Sequence, residues 1–176
     1  MFKLFSSGNK SNIIDRVFIR KDDKWAHCKK ILTENSNTIF IAWFDETVEE
    51  LETYLSRSNL RASIVKARTA NRSQIEGAQV IFVEHYPMKS REQQFLEQLS
   101  FKEAIFLTAL DEPLLSYFGG EKLIRMMEGM GMKEGESLEH KLITQSIANA
   151  QEKIGSKVFI EQSTRSAAEW MERNLK

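Results

Sequence analysis

The chain has 176 residues, of which 41% are hydrophobic and 28% charged, values that are typical of one globular domain and exclude extensive disorder. Lys plus Arg and Asp plus Glu each number 25, so the formal net charge is zero. This balance excludes the uniformly basic composition of a dedicated nucleic-acid or membrane-surface binder. The single cysteine excludes an internal disulfide framework and a cysteine-based zinc site.

Neither a membrane span nor a secretory signal is visible in the sequence. The longest plainly apolar run, residues 39–44, is far shorter than the roughly 20 residues that cross a bilayer. The first six residues, MFKLFS, contain no apolar stretch long enough for a signal peptide. We therefore expect a cytoplasmic protein, with residues 1–12 as a loose N-terminal leader.

Strand-like and helix-like patterns alternate over residues 13–110. Short β-rich runs occur at residues 17–19, 38–44, 62–66, 79–83 and 104–107. Between them, apolar residues recur every three or four positions, as on the buried side of a helix. This alternation predicts βαβ units and a parallel sheet flanked by helices, that is, an α/β domain over residues 13–110.

Several helix starts can be predicted from capping residues. Asp22, Asp45 and Asp111 each precede a helical pattern and are expected to be N-caps. Ser90 and Gln93 have the spacing of a capping box for the helix that precedes the last strand of the domain.

Residues 111–176 are predicted to be helical throughout and to form an extension packed on or beside the sheet. Pro113 suits the first turn of a short helix, and Ser137 is expected to open a longer one. The last predicted helix contains Trp170 and Met171. Because an isolated helix of this length is marginal in water, we expect it to fold back onto the domain.

The residues that usually handle phosphate are missing. A phosphate-binding loop needs glycines followed by Gly-Lys-Ser/Thr, and the sequence contains no Gly-Lys dipeptide. Asp111 and Glu112 follow an apolar strand, as magnesium-binding acids do in nucleotide hydrolases, but without such a loop we interpret Asp111 as a cap. The three histidines lack metal-ligand spacing, so neither a metal nor a cofactor is expected.

Ligands of parallel sheets bind at the carboxyl ends of the strands, and candidate residues occur there. His85, next to Glu84, could act in acid–base chemistry, although a turn residue is the favoured interpretation. Cys28 lies on an apolar helix stripe and is interpreted as core. The candidate interaction groove, expected to be exposed at the strand ends and with no catalytic residue, comprises Trp43, Phe44, Arg68, His85, Tyr86 and Arg91.

A stretch of about 45 residues resembles the SecA preprotein translocase ATPase family. Residues 110–119, LDEPLLSYFG, are similar to the segment that closes the second nucleotide-binding domain of SecA. The similarity continues through Leu138-Glu139-His140 and residues 147–154, IANAQEKI, with the family's spacing and without a gap. Residues 38–68 resemble, more faintly, the segment that opens the same domain. The resemblance implies a RecA-like fold of the P-loop NTPase type.

The sequence departs from that family where the ATPase chemistry lies. The first nucleotide-binding half, with its phosphate loop and Asp-Glu motif, has no counterpart in these residues. The arginine-rich helix of the second half corresponds to residues 90–102, where Arg91 and Gln94 are plausible matches but the glycines and finger arginines are absent. The resemblance therefore implies a degenerate, stand-alone motor domain that is not an enzyme.

Three functional hypotheses follow. The first is a non-catalytic SecA-like module for protein interaction or regulation, linked to protein translocation. The second is a half-site that completes an ATPase or helicase site on a partner chain, with Arg68, Arg72, Lys89 and Arg91 as candidate residues. The third, a nucleic-acid module, is weakened by the zero net charge. We expect a protein partner and no nucleic-acid partner, and self-association stays open.

Overall fold

The computed structural model describes residues 11–129, 131–133 and 135–175, so residues 1–10 of the predicted leader lie outside the described residues. A six-stranded mixed sheet has the order β3-β2-β4-β5-β1-β6. Its strands are β1 (Asn12–Phe18), β2 (Thr38–Ala42), β3 (Ser63–Lys66), β4 (Gln79–Phe82), β5 (Glu103–Ala109) and β6 (Ser137–Leu138). All neighbouring strands are parallel except β6, which is antiparallel to β1. The predicted α/β architecture is thus present.

Eight α-helices are found in the described residues. They are α1 (Lys21–Glu34), α2 (Asp45–Ser56), α3 (Arg72–Ile75), α4 (Lys89–Gln98), α5 (Pro113–Tyr117), α6 (Gly120–Gly129), α7 (Lys141–Gly155) and α8 (Ala167–Asn174). No helix in this part of the chain combines the length and apolar character that a bilayer crossing requires.

Strand β2 lies inside the sheet, with β3 on one side and β4 on the other. Its burial pattern shows no exposed position, as expected for a strand covered on both faces. Side chains of alternating residues then pack into different cores. Phe40 faces α1 and α2, whereas Ile41 faces the core that contains α4.

Helices α1 and α2 cover one face of the sheet, and α3 and α4 cover the other. This arrangement marks the place where ligands of such sheets bind. The connections after β1 and β2 contain α1 and α2, which share one apolar core with Phe40 and Ile81. The connections after β3 and β4 contain α3 and α4, whose Ile75 and Phe95 belong to the core on the other face. Chains therefore leave the adjacent strands β2 and β4 toward opposite faces, and the crevice between their carboxyl ends is a topological switch point.

The C-terminal helices pack against the β1 end of the sheet. Val17 and Ile19 share a core with residues of α5, α6, α7 and α8. Trp170 of α8 is completely buried there, so the last helix folds back onto the domain. The helices after residue 110 thus share one apolar core with the β1 end of the sheet.

The prediction that residues after 110 are helical throughout is wrong. Ser137 and Leu138 form β6, which pairs with Val17 and Phe18 of β1. Helix α7 begins at Lys141, where the His140 side chain accepts a hydrogen bond from the Leu142 amide over 3.2 Å. A two-residue strand is too short to show a period of its own, and the free edge of β1 supplies its partner.

The predicted caps are also wrong in position. Asp22 and Asp45 lie inside the first turns of α1 and α2, whose N-cap residues make no side-chain cap hydrogen bond. Acids in the first turn of a helix interact favourably with the helix dipole, which explains why α1 and α2 both have acidic residues there. Likewise α4 begins at Lys89, with Met88 as N-cap, so Ser90 does not cap it. The predicted leader boundary shifts too, because Asn12 already belongs to β1.

Candidate functional site

A cleft of about 590 Å³ opens at the carboxyl ends of β2, β3 and β4. Trp43 and Phe44 follow β2, Ala67 and Arg68 follow β3, and Tyr86 follows β4. Residues of α4, among them Arg91, and residues that precede α8, among them Glu161, also line the cleft. The cleft therefore coincides with the switch point that the topology defines.

Aromatic rings form the inner surface of this cleft. Trp43 lies with its ring centroid 4.9 Å from that of Tyr86 and 5.0 Å from that of Phe95. Phe44 stacks on Tyr86 at 5.7 Å with an interplanar angle of 15°. Within the described residues, the buried Trp43 indole N–H has no hydrogen-bond partner. Such a cluster offers a large apolar contact surface with few rotatable bonds.

Two arginines border the cleft, and each already has an acidic partner. Arg68 donates from Nη2 to Oδ1 of Asp45 over 3.1 Å, and Nζ of Lys66 lies 2.8 Å from the same oxygen. The Lys66 hydrogen bond holds the pKa of the Asp45 carboxyl below its usual value. Arg91 donates from Nε to Glu161 over 3.1 Å. The basic stretch around residue 68 is thus neutralised in part by the acidic start of α2.

The segment between α7 and α8, residues 156–166, crosses the strand ends and is called the strap below. Its Glu161 accepts hydrogen bonds from the Tyr86 hydroxyl and, over 3.1 Å, from the Trp170 indole N–H. Burial and the Glu161 contact together raise the pKa of the Tyr86 hydroxyl above its ordinary value. The strap therefore places one carboxylate where an arginine, a tyrosine and a tryptophan converge.

A second carboxylate, that of Glu84, binds the backbone at the switch point, directly after β2. Its Oε1 accepts hydrogen bonds from the amides of Trp43 and Phe44 over 2.7 and 2.9 Å, and its Oε2 accepts one from Thr47 Oγ1 over 2.7 Å. Burial raises the pKa of the Glu84 carboxyl to about 7, although these hydrogen bonds favour its charged form. The amides that precede α2 are thus held by the protein's own side chain.

His85 lies behind the cleft and is clamped by two acids. Its Nε2 is 2.6 Å from Asp15 Oδ1, its Nδ1 is 3.0 Å from Glu92 Oε2, and its ring stacks on Phe106 at 4.3 Å. Burial alone lowers the pKa of His85, but the two carboxylates outweigh it and raise the pKa to about 10. We therefore treat His85 as an imidazolium that donates from both nitrogens.

The His85 cluster also joins α7 to the sheet. Gln151 donates from Nε2 to the Tyr86 carbonyl over 2.8 Å and to Glu92 over 3.2 Å. Burial would raise the pKa of Asp15, yet the charge and hydrogen bond of His85 and the Thr144 hydroxyl hold it below its ordinary value. With side-chain exposures of 2% for His85 and 1% for each acid, the cluster has no access for a substrate.

Asp111 does not cap α5, since Glu112 occupies the N-cap position and makes no side-chain cap hydrogen bond. Glu112 instead accepts a hydrogen bond from the Ala109 amide over 2.9 Å and pairs with Lys24. Lys24 is fully buried and also donates to the Val83 carbonyl over 2.7 Å. Of the Asp-Glu pair, Glu112 thus contributes a buried salt bridge at the strand ends.

The structure brings five of the six predicted groove residues to one cleft, namely Trp43, Phe44, Arg68, Tyr86 and Arg91. The expectation that the strand-end residues are exposed is wrong for Phe44 and His85, which are 3% and 5% exposed. Phe44 turns inward because it joins the core beneath α8, and His85 because it sits between its two acids.

Three residues that organise this region were not singled out from the sequence, namely Asp15, Glu92 and Glu161, whereas Glu84 was named only beside His85 as a candidate for acid–base chemistry. An acid among the apolar residues of a strand, as Asp15 beside Ile13, Ile14 and Val17, is a signal that sequence reasoning could have used. Glu161 carries no such local signal, because its partners are distant in the chain.

Metal and thiol chemistry find no support in the described part of the chain. No group of three or more histidine, cysteine or acidic residues there is arranged to hold a metal ion. Burial raises the pKa of the Cys28 thiol to about 12, so the thiolate is suppressed at neutral pH. Cys28 packs in the core beside Trp25 and Ile31, in agreement with the interpretation made from its sequence pattern.

Comparison with known proteins shows one clear relationship. No protein-family model matches the chain. Over 54 residues it is 48% identical to the protein translocase subunit SecA of Acidithiobacillus ferrooxidans, 43% identical to that of Psychrobacter sp. (strain PRwf-1) and 41% identical to that of Acinetobacter baumannii. The matched stretch covers 31% of this chain but only 6% of each of those proteins. About a third of the chain is therefore a SecA-related region.

Proposed function

We propose that the chain is a non-catalytic, SecA-like module with a RecA-like fold that binds a protein partner in the strand-end cleft and serves protein translocation. The similarity to translocase subunits supports the link to translocation. The parallel strands β1 to β5 and the position of the cleft at their carboxyl ends support the fold type. The proposed partner side is the cleft with Trp43, Phe44, Tyr86, Arg68 and Arg91.

The observation that carries the non-catalytic part of this proposal is the position of Glu84. Anions bind at a strand-to-helix turn by accepting hydrogen bonds from free backbone amides. Here the amides of Trp43 and Phe44 are bound to Glu84 Oε1 over 2.7 and 2.9 Å. A phosphate at this point would lose those donors and would face a carboxylate, so the arrangement opposes nucleotide binding.

The chemistry of the cleft fits a protein side chain better than a phosphate. Its aromatic rings supply contact area for an apolar anchor residue, and the side chains of Gln94 and Gln98 on α4 offer both donors and acceptors. Arg68 and Arg91 remain 65% and 56% exposed despite their ion pairs, so they can also reach a partner. This combination is typical of protein–protein contact sites.

Site-specific photocrosslinking in living cells tests the proposal. A photoreactive phenylalanine analogue at Gln98 would label whatever enters the cleft, and the same analogue at Lys30, exposed on α1 at the opposite face, is the control. We expect an adduct from Gln98 alone, with a component of the translocation machinery. Equal labelling from both positions, or no adduct from Gln98, would contradict the proposal.

The alternative, a half-site that completes an ATPase on a partner chain, is favoured by one observation. Arg68 and Arg91 border the same cleft, as residues that stabilise a transferring phosphate would. Under this alternative, ATP turnover rises when the chain is mixed with SecA from the same organism and falls again with Arg91→Ala. Turnover that is equal with and without the chain would reject it.

A further inference from the structure

The strap presents two large apolar side chains to solvent. Phe159 and Ile160 are 95% and 85% exposed, whereas the next most exposed large apolar residue among those that the structure describes, Leu142, is 66% exposed. Single exposed apolar residues are common on protein surfaces, but adjacent ones at almost full exposure mark contact sites. We call Phe159 and Ile160 the hook.

Both sides of the hook are held in place. Val158, which precedes it, packs against the core that contains Trp170. Glu161, which follows it, is bound by Tyr86, Arg91 and Trp170. Farther along, the Gln162 amide donates to Asn174 Oδ1 over 2.7 Å, and Asn174 Nδ2 donates to the Gln162 carbonyl over 3.1 Å. Because these contacts already fix the backbone on both sides of the hook, a partner that covers the hook loses little binding free energy to ordering it.

The hook and the cleft are neighbours on the same strap. Glu161, Ser163 and Thr164 line the cleft, and the hook directly precedes Glu161. We propose that the occupant of the cleft in the free protein is the hook of a second copy of this chain, in a two-fold symmetric dimer. Because the two features are adjacent, a two-fold axis near Glu161 brings each hook to the other copy's cleft in a closed, reciprocal contact.

The chemistry of the two surfaces is complementary. Phe159 offers an aromatic ring to a cleft built from Trp43, Tyr86 and Phe95, and aromatic pairs of this kind add to the gain from burial. The net charge of zero means that two copies do not repel each other as wholes. Two reciprocal insertions would bury on the order of 1,000 Å², the low end for specific interfaces, so we expect a dissociation constant in the micromolar range.

Sedimentation equilibrium of the full chain provides the first test. We expect the wild type to dimerise as its concentration is raised to about 200 μM, and the variant Phe159→Ser/Ile160→Ser to dissociate at least about tenfold more readily. Leu142→Ser removes another exposed apolar side chain, one that lies outside the hook, and should leave the dimer intact. A wild type that stays monomeric, or a dimer that the hook variant leaves unchanged, would overturn the proposal.

Disulfide trapping between two variants tests the arrangement itself. Proteins with Ile160→Cys and Gln94→Cys should form a mixed disulfide on oxidation, because the hook of one would lie in the cleft of the other. Ile160→Cys mixed with Lys30→Cys is the control, and the native Cys28 is buried. Equal trapping in both mixtures would contradict the reciprocal contact. The proposed partner function is tested separately. Photocrosslinking at Gln98 looks for an adduct with a component of the translocation machinery, whereas disulfide trapping detects contact between two copies of this chain.

Discussion

The two faces of the central sheet are built differently. The face under α1 and α2 is filled by apolar side chains such as Phe40, Leu51 and Ile81. Toward α4 and α7, and at the carboxyl ends of the strands, buried charges stand among the apolar residues, with His85 between two acids and Glu84 on two backbone amides. The apolar face holds the fold together, whereas in the charged region the chain's own carboxylates bind the amides of Trp43 and Phe44 and the ring nitrogens of His85.

Removal of His85 should be the most damaging change in the charged region. His85→Ala leaves Asp15 and Glu92 buried, close together and without their cation, which should cost about 3–5 kcal/mol of unfolding free energy. Ile81→Val on the apolar face is the control, with an expected cost of about 0.5–1.5 kcal/mol. Urea unfolding measures both. A loss for His85→Ala no larger than that for Ile81→Val would contradict the buried ion cluster.

The Glu84 carboxyl should make stability depend on pH. Its pKa is raised to about 7 in the folded protein against an ordinary value near 4.5, so the folded state holds the proton more tightly. Its contribution to stability is therefore fully present below pH 4.5 and is lost as the pH rises through about 7, on the order of 3 kcal/mol in all.

The variant Glu84→Gln isolates this effect. Glutamine keeps an oxygen for the amides of Trp43 and Phe44 but does not titrate. The difference in unfolding free energy between wild type and Glu84→Gln should therefore shift in favour of the variant from pH 4.5 to pH 8, as read from urea unfolding at each pH. A difference that stays constant over this range would show that Glu84 is not perturbed by burial.

The junction between the sheet and the C-terminal helices can be tested with a pair of glycines. A Cβ at Gly120 would lie 2.2 Å from the Leu110 carbonyl oxygen, whereas a Cβ at Gly129 would have no atom within 4 Å among the described residues. Gly120→Ala should cost about 1–3 kcal/mol and Gly129→Ala close to nothing. Thermal unfolding compares them, and equal melting temperatures would show that this junction is not tightly packed.

The smallest effect is expected at the border of the cleft. Arg68 is 65% exposed and its bond to Asp45 is open to solvent, so Arg68→Ala should change the unfolding free energy by less than about 0.5 kcal/mol. Urea unfolding at low and high salt measures this. A loss well above that value would show that the arginines belong to the stabilising structure and are not available to a partner.

The contrast between the two regions also explains what could be predicted. Strand β2 was predictable because residues 38–42 form an almost continuous apolar run, the pattern of a strand buried on both faces of a sheet. The helix α3 had a readable signal as well, since Asn71 and Gln74 form a capping box. These features depend on neighbours within a few positions of the chain.

The charged region was not predictable in the same way. His85 resembles a turn residue in its local sequence, and only the approach of Asp15, 70 positions away, together with Glu92 makes its burial favourable. Glu161 contacts Tyr86 across 75 positions. Because a buried charge is stabilised by partners that the fold supplies, its position follows from the tertiary structure and not from local patterns.

The central proposal is that the chain's own carboxylates occupy the strand-end site and oppose nucleotide binding. Titration calorimetry of the full chain with ATP·Mg²⁺ tests it most directly. We expect no binding heat, because Glu84 occupies the amides of Trp43 and Phe44. Saturable binding of ATP with micromolar affinity would contradict the account.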